Sequence, residues 1–307
     1  MKDITISTYE IMKRFPTEQA ARVYLEERRW NGEPVCPFCE KKARIHVRKV
    51  DGYFRCLACN EDFTVRTKTV MERSHIPLNK WLYAMYLMVT ARKGISSLQL
   101  SKELGITQKS AWFMLQRLRE SCKGDGEILL GVVEADECYI GGKEANKHES
   151  KKLKTGRGTV GKTAILGIRE RKGNVRAMAI VGTDVKTIQD KIREHVTPGS
   201  TLCTDEHTAY KGMPDFAHLE VNHSAKQFVD GMAHTNGIES VWAVLKRGFY
   251  GTYHNFGTKH IQRYVDEFTF RLNEGDCHIP SMDRVDSLIK GMMGKTLTYA
   301  RLTKTGA

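Results

Sequence analysis

Asp136, Asp205, Glu239 and Lys246 stand in this chain at positions where their side chains can act together. Asp136 closes the apolar run Leu129 to Ala135, and Asp205 closes the run Ser200 to Thr204. Both runs read as buried strands. Glu239 falls in a helix-like stretch, Ile238 to Arg247. Lys246 follows it by seven residues, about two helical turns, so both side chains leave the same face. Two strand-end aspartates and a helix glutamate can hold a pair of hard divalent cations, Mg²⁺ or Mn²⁺. Such a pair stabilises the oxygens of an in-line phosphoryl displacement. Each carboxylate taken singly has the plainer reading of a surface group.

A second set is thiolate chemistry. Cys36-Pro37-Phe38-Cys39 and Cys56-Leu57-Ala58-Cys59 are two C-x2-C pairs with 16 residues between them. Each pair forms a tight knuckle that aims two thiolates at one ion, and two knuckles complete a tetrahedral site for one structural Zn²⁺. A redox role would need a βαβ setting, which is absent. His46 and His75 read as surface or packing residues, because four thiolates already close the site. Cys122, Cys138, Cys203 and Cys277 lack knuckle spacing and read as small packing residues.

The elements that must carry these groups are legible in part. Thr17 to Trp30 reads as an amphipathic helix with Ala20, Val23, Tyr24 and Trp30 on its apolar side. Ala43 to Arg48 alternates like a strand, Asp51-Gly52 signals a hairpin, and Tyr53-Phe54-Arg55 returns to the second knuckle. Leu78 to Met88 is apolar nearly all round, which predicts a buried helix. Ser96 opens a short helix with Gln99 as its capping-box partner; Gly105 ends it, and Thr107 caps another from Gln108 to Arg119. Helix, glycine turn, helix is the helix-turn-helix pattern, in which Thr107, Gln108, Lys109 and Ser110 would face DNA. Leu100, Leu104, Ile106, Trp112 and Leu115 would be core. A plain packing hairpin has the same pattern.

Beyond a linker at Lys123-Gly124-Asp125-Gly126, strand-like runs cover Ile128–Ala135, Thr163–Ile168 and Val175–Val181. A helix from Lys186 to His195 precedes the strand into Asp205. That order predicts an α/β core, an RNase H-like mixed sheet flanked by helices. Ile261, Tyr264, Val265, Phe268 and Leu272 fall at helical spacing and read as core. The domains expected are a helical segment over 1–35, a zinc ribbon over 36–75, a helix-turn-helix-like segment over 76–123, the catalytic core over 127–280 and a basic tail over 281–307.

Charge points to the partner. Lys and Arg number 49 against 36 acids, a net charge of +13, which favours a polyanion such as nucleic acid. Within 36–75, nine basic residues face five acids. The stretch from Lys143 to Lys162 carries seven positive residues, including Lys151, Lys152 and Lys154, and two negative. It reads as a basic loop able to hold DNA backbone, or as a solvated insertion. Its glycines do not form a phosphate loop, so no nucleotide cofactor is expected. No run approaches the roughly 20 apolar residues of a membrane helix, and the first residues do not resemble a signal peptide. A cytoplasmic protein with reduced cysteines is expected.

The segments Glu134-Ala135-Asp136-Glu137, Thr204-Asp205 and His234 to Arg247 (HTNGIESVWAVLKR), set behind a CPFC knuckle, resemble the bacterial insertion-sequence DDE transposases of the ISXO-type group. The resemblance spans nearly the whole chain. It implies that Asp136, Asp205 and Glu239 are the catalytic metal-binding triad. It also makes Lys246, with Arg247 beside it, a contact to transposon-end DNA. Some members are described with an asparagine at the third position, which keeps Asn236 as an alternative ligand. Glu134, Glu137 and Glu206 would be supporting or surface groups, and His207, His234 and His260 hydrogen-bonding histidines. The implied reaction is hydrolysis at the element's end, then attack of the freed 3′ hydroxyl on target DNA. About two Mg²⁺ or Mn²⁺ ions would assist it. The implied partners are terminal inverted repeats and target DNA as double strands, with the protein a homodimer or higher oligomer near the nucleoid. An RNase H-like nuclease without strand transfer and a DNA-binding regulator derived from a transposase are the alternatives.

Overall fold

A computed structural model of the chain describes residues 4–124, 126, 128–142, 144, 148–153, 158–221, 234–274 and 278–304. Two compact units form. One is Met1–Lys123 with Glu274–Ala307, and the other is Gly124–Asn273.

In the first unit, α1 (Thr8–Arg14) begins at a capping box between Ser7 and Glu10. α2 (Glu18–Trp30) begins at Thr17, whose hydroxyl accepts from the Ala20 N–H. Its inward face is Ala21, Leu25 and Trp30, while Val23 is 55% exposed. Ala21 and Leu25 lie one residue, about 100°, round the helix from the expected Ala20 and Tyr24, while Trp30 is inward as expected. Trp30 sets its ring edge-on to Phe54 and Phe63, with centroids 5.3 and 5.8 Å away. Those two phenylalanines belong to a three-stranded antiparallel ribbon of β1 (Ile45–Val47), β2 (Phe54–Cys56) and β3 (Asp62–Phe63). The Asp51-Gly52 turn joins β1 to β2, and Gly52 sits at φ +79°, where a side chain would be strained.

α3 (Leu78–Thr90) is buried nearly all round, as its composition demands. α4 (Ser97–Leu104) starts at Ser96 and stops at Gly105 with φ +59°, and α5 (Gln108–Ser121) starts at Thr107. Leu100, Leu104 and Leu115 are buried. Ile106 and Trp112 are only half-buried, and Ala111, Met114 and Leu118 complete the inner face instead. The segment expected as a basic tail is structured within the same unit. It holds α9 (Ser281–Gly291), with Met282, Val285, Leu288 and Ile289 inward, and a short α10 (Tyr299–Thr303). Its apolar residues recur at helical spacing, a signal that its net positive charge obscured. α9 packs against α2, α3 and α5.

The second unit is a five-stranded mixed sheet in the order β6-β5-β4-β7-β8. β4 (Val132–Ile140), β5 (Thr163–Glu170) and β6 (Val175–Ile180) run antiparallel; β7 (Thr201–Asp205) and β8 (Ala217–Val221) continue parallel to β4. Alternation along β4 sends Val133 and Ala135 to one face, against α6 (Val185–His195), Tyr210 and Phe216. Cys138 and Ile140 go to the other, against α7 (Asn236–Gly248) and α8 (Ile261–Asn273). The observed β4 starts later and runs further than the apolar run suggested, so Asp136 lies in mid-strand rather than at a strand end. The antiparallel ladder to β5 carries β4 on to Ile140, past the last apolar residue of the run. β8 was not foreseen, since Ala-His-Leu-Glu-Val lacks a bulky apolar run.

Candidate metal centres

The two knuckles bring four sulfurs together. Cys36 Sγ is 3.6 Å from Cys59 Sγ, and Cys39 Sγ is 3.6 Å from Cys56 Sγ. All four lie within 4.8 Å of one another. Bonds of about 2.3 Å to a tetrahedral zinc place sulfurs about 3.8 Å apart, so the donor set fits Zn²⁺ without rearrangement. Each knuckle turns through a left-handed residue directly after its second cysteine, Glu40 and Asn60. The Cys36 N–H reaches the Lys41 carbonyl, and the Cys56 N–H the Glu61 carbonyl, in matching fashion. Cys122, Cys138 and Cys203 are buried and in no disulfide, and Cys277 lies outside the described residues.

On the sheet, the parallel register pairs Val132 with Thr201 and Glu134 with Cys203. Two residues further along each strand stand Asp136 and Asp205, level with one another where the β4–β7 ladder has ended. Among the described residues, Asp136, Glu137 and Asp205 form a carboxylate group with ligand atoms within 4.8 Å of one another. Neighbours on a strand point to opposite faces, yet a carboxylate oxygen of Glu137 comes within 4.8 Å of those of Asp136 and Asp205, beyond the last β4–β7 pair, Glu134 with Cys203. Glu137 also takes a hydrogen bond from the Tyr210 hydroxyl at 2.7 Å. Asp136 takes one from the Glu137 N–H at 2.8 Å and one from the Trp242 indole N–H at 2.9 Å. Asp205 accepts from the His207 N–H at 3.1 Å. Burial raises the Asp136 carboxyl to about 7, and the nearby Asp205 and Glu137 charges add to this. Burial raises Glu137 too, against the pull of the Tyr210 hydroxyl. Asp136 and Glu137, both held back from ionising, crowd with Asp205 into a donor set short of a positive charge, which a hard divalent cation would supply.

Glu239 occupies the first turn of α7, exposed, and accepts from the Thr235 hydroxyl at 3.1 Å; it is outside the three-carboxylate group. Asn236 is the exposed first residue of α7, while Lys246 and Arg247 are exposed on its last turn. Burial pushes the Cys138 thiol up to about 11, opposed by the positive charges of Lys246 and Lys162, which puts Lys246 within electrostatic reach of β4. Thr107 is spent as the α5 cap, Gln108 donates to Ser97 Oγ at 2.7 Å, and Lys109 lies over the Tyr299 ring. Lys152 pairs with Glu149 at 2.8 Å; the Lys151 side chain and Lys154 lie outside the described residues.

Glu134, expected as a supporting or surface group, is 1% exposed and accepts from the Ile238 N–H at 2.9 Å, a supporting place and not a surface one. Glu137, expected in the same supporting or surface role, belongs to the carboxylate group itself, and Trp242 was not singled out. Their sequence neighbourhood held the signal only as adjacency to Asp136 and as the tryptophan of the α7 motif.

The model of an ISXO2-like transposase domain matches residues 128–273, and that of a transposase zinc-ribbon domain matches residues 16–62. The chain belongs to the ISXO2-like transposases. The zinc-ribbon match begins before α2, the helix whose Trp30 packs on the ribbon. This ISXO2-like chain is 27% identical, over 274 residues, to an uncharacterized protein in transposable element ISH50 of Halobacterium salinarum. The alignment covers 85% of the chain and 92% of that relative. The cryo-EM structure of simian T-cell lymphotropic virus intasome in complex with PP2A regulatory subunit B56 gamma aligns over 61% of this chain and 65% of its own. Its identity is 15% and its TM-score 0.27, too slight a likeness to inform the fold. No helix among the described residues of the transposase is long and apolar enough to cross a membrane.

Proposed function

We propose that this ISXO2-like transposase binds the ends of an insertion sequence as double-stranded DNA, on an RNase H-like core, and catalyses metal-dependent strand cleavage and strand transfer. The observation that carries the proposal is the pair Asp136 and Asp205, level on adjacent parallel strands inside the transposase domain, with Glu137 beside them. Divalent cations bound there would supply Lewis-acid stabilisation of the attacking and leaving oxygens of a phosphodiester. The residues around them already hold the acids in place. The Glu137 N–H and the Trp242 indole fix Asp136, and the His207 N–H fixes Asp205. Exposed Lys246 and Arg247 offer positive charge to the DNA backbone near the same strand.

Glu239 is the third ligand in this reading, supported by the family motif and by its place three residues before Trp242, which bonds Asp136. Glu137 is the rival, favoured by its distance to the other two acids. The four-cysteine ribbon, the helix-turn-helix-like α4–α5 pair and a second protomer would complete end recognition. The test is cleavage and joining of terminal-repeat DNA with Mg²⁺ or Mn²⁺. Asp136→Asn and Asp205→Asn should each lower both steps at least about a hundredfold, a loss of about 2.7 kcal/mol of transition-state stabilisation, while DNA binding persists. Whichever of Glu239→Gln and Glu137→Gln matches that loss identifies the third ligand. Cleavage without joining by the unaltered chain would make it a nuclease; binding without either would make it a regulator. Full joining in both aspartate variants would remove the mechanism.

A further inference from the structure

We propose that Glu134 and Trp242 are positioning residues, a clasp that locks α7 to β4 and sets the orientation of the Asp136 carboxylate for its cation. The cation in that statement rests on the reading above; the clasp itself rests on geometry. α7 has no side-chain cap of its own at Thr235. Its first turn is capped from another element, by Glu134 of β4, whose Oε2 accepts the Ile238 N–H at 2.9 Å. Arg171 Nε reaches the other oxygen at 3.3 Å. A buried carboxylate is tolerated there because it meets both a guanidinium and the positive end of the helix.

Four residues along the helix, Trp242 Nε1 donates to Asp136 Oδ2 at 2.9 Å, and Asp136 lies two residues along the strand from Glu134. The two repeats match. Two residues of strand advance about 6.6 Å, and four residues of helix advance about 6.0 Å. A slip of one residue in β4 would replace both carboxylates by side chains of the opposite face, such as Ala135, so both bonds depend on one register.

Two glycines make the close approach possible. A Cβ on Gly237 would fall 2.5 Å from Glu134 Oε2, and one on Gly167 would collide with the Trp242 ring. Gly167 is the residue paired with Asp136 in the β4–β5 ladder, so the indole lies across the strand pair at the level of the carboxylate. Arg169 of β5 adds a third hold, donating to the Gly237 carbonyl at 2.6 Å and to Ser240 Oγ at 2.9 Å. With the Glu137 N–H on Oδ1 and the indole on Oδ2, the Asp136 carboxylate is fixed in its plane, and each oxygen keeps a lone pair for a cation. Because α7 also carries Glu239 and Lys246, the clasp sets their place along the strand as well.

The experiment uses the full chain labelled with ¹⁵N in its four tryptophan indoles. The Trp242 signal is identified by its loss in Trp242→Phe, which keeps a ring over Gly167. In metal-free protein, Glu134→Gln should move the Trp242 indole signal and leave the other three in place. Mn²⁺ affinity, read by titration calorimetry, should fall about 10–100-fold in both variants, with the thermal midpoint of Trp242→Phe close to that of the unaltered chain. The clasp is overturned if Glu134→Gln leaves the Trp242 signal unmoved, or if Trp242→Phe binds Mn²⁺ as tightly as the unaltered protein. An unaltered chain that binds no Mn²⁺ would overturn the cation reading of Asp136, an outcome separate from the behaviour of the indole signal.

Discussion

The Asp136 carboxyl, raised to about 7 by burial and by the Asp205 and Glu137 charges, couples cation binding to pH. Between its ordinary value and about 7, the folded protein holds a proton there that the unfolded chain has released. Stability of the metal-free protein from this group therefore declines as pH rises through that window and levels off above it. A cation reverses the sign, because it must displace the same proton below pH 7. Mg²⁺ affinity should accordingly fall about tenfold per pH unit below about 7, where one proton is displaced. The rise in thermal midpoint on adding Mg²⁺ should be larger at pH 8 than at pH 5.5, measured by scanning calorimetry. An equal or opposite trend would show that Asp136 is not a ligand.

The zinc ribbon shows what an element can and cannot do alone. Its three strands have two or three residues each, and its aromatic pair Phe54 and Phe63 is covered by Trp30 from α2. So small a core needs a metal to stay folded. Freshly purified reduced protein should contain about one zinc per chain, the expectation for a single four-thiolate site. Cys56→Ser should lose that zinc and end-specific DNA binding while the 124–273 unit stays folded. Elemental analysis and a gel-shift titration check this, and a zinc-free preparation with intact specific binding would contradict it. α7 is the contrasting element: its position is set by carboxylates and glycines of the sheet, not by its own cap.

Across the whole molecule, the net charge of +13 makes association with DNA a matter of counterion release. Lys246 and Arg247 are exposed at the end of the helix that carries Trp242. Changing both to alanine should reduce the slope of log affinity against log salt by about 1–2 and weaken binding to all DNA sequences alike. Fluorescence anisotropy at several salt concentrations reads this directly. An unchanged slope would place the two side chains away from phosphate. Lys109 and Gln108, which the helix-turn-helix reading assigned to base recognition, are held by Tyr299 and Ser97 within the first unit.

Local chemistry made much of this protein readable in one dimension. Cysteine spacing alone singles out the four thiolates that come together, because a knuckle is built by adjacent residues. Ser96, Gly105 and Thr107 mark helix ends by bonds that reach only three or four positions. The strand ending at Asp205 and the helical phase of Ile261 to Phe268 follow from apolar periodicity. Tertiary structure alone decided the rest, because it depended on register and on groups far apart in sequence. Asp136 and Asp205 stand level only through the β4–β7 pairing. Glu137 is brought to them by the same packing, and Glu134, a supporting or surface acid by sequence, caps a helix 104 residues away. The C-terminal segment, basic by composition, became α9 because its apolar face had α2, α3 and α5 to pack against. Charge and adjacency are properties of the chain, whereas which acids meet is decided by the strands and helices that carry them.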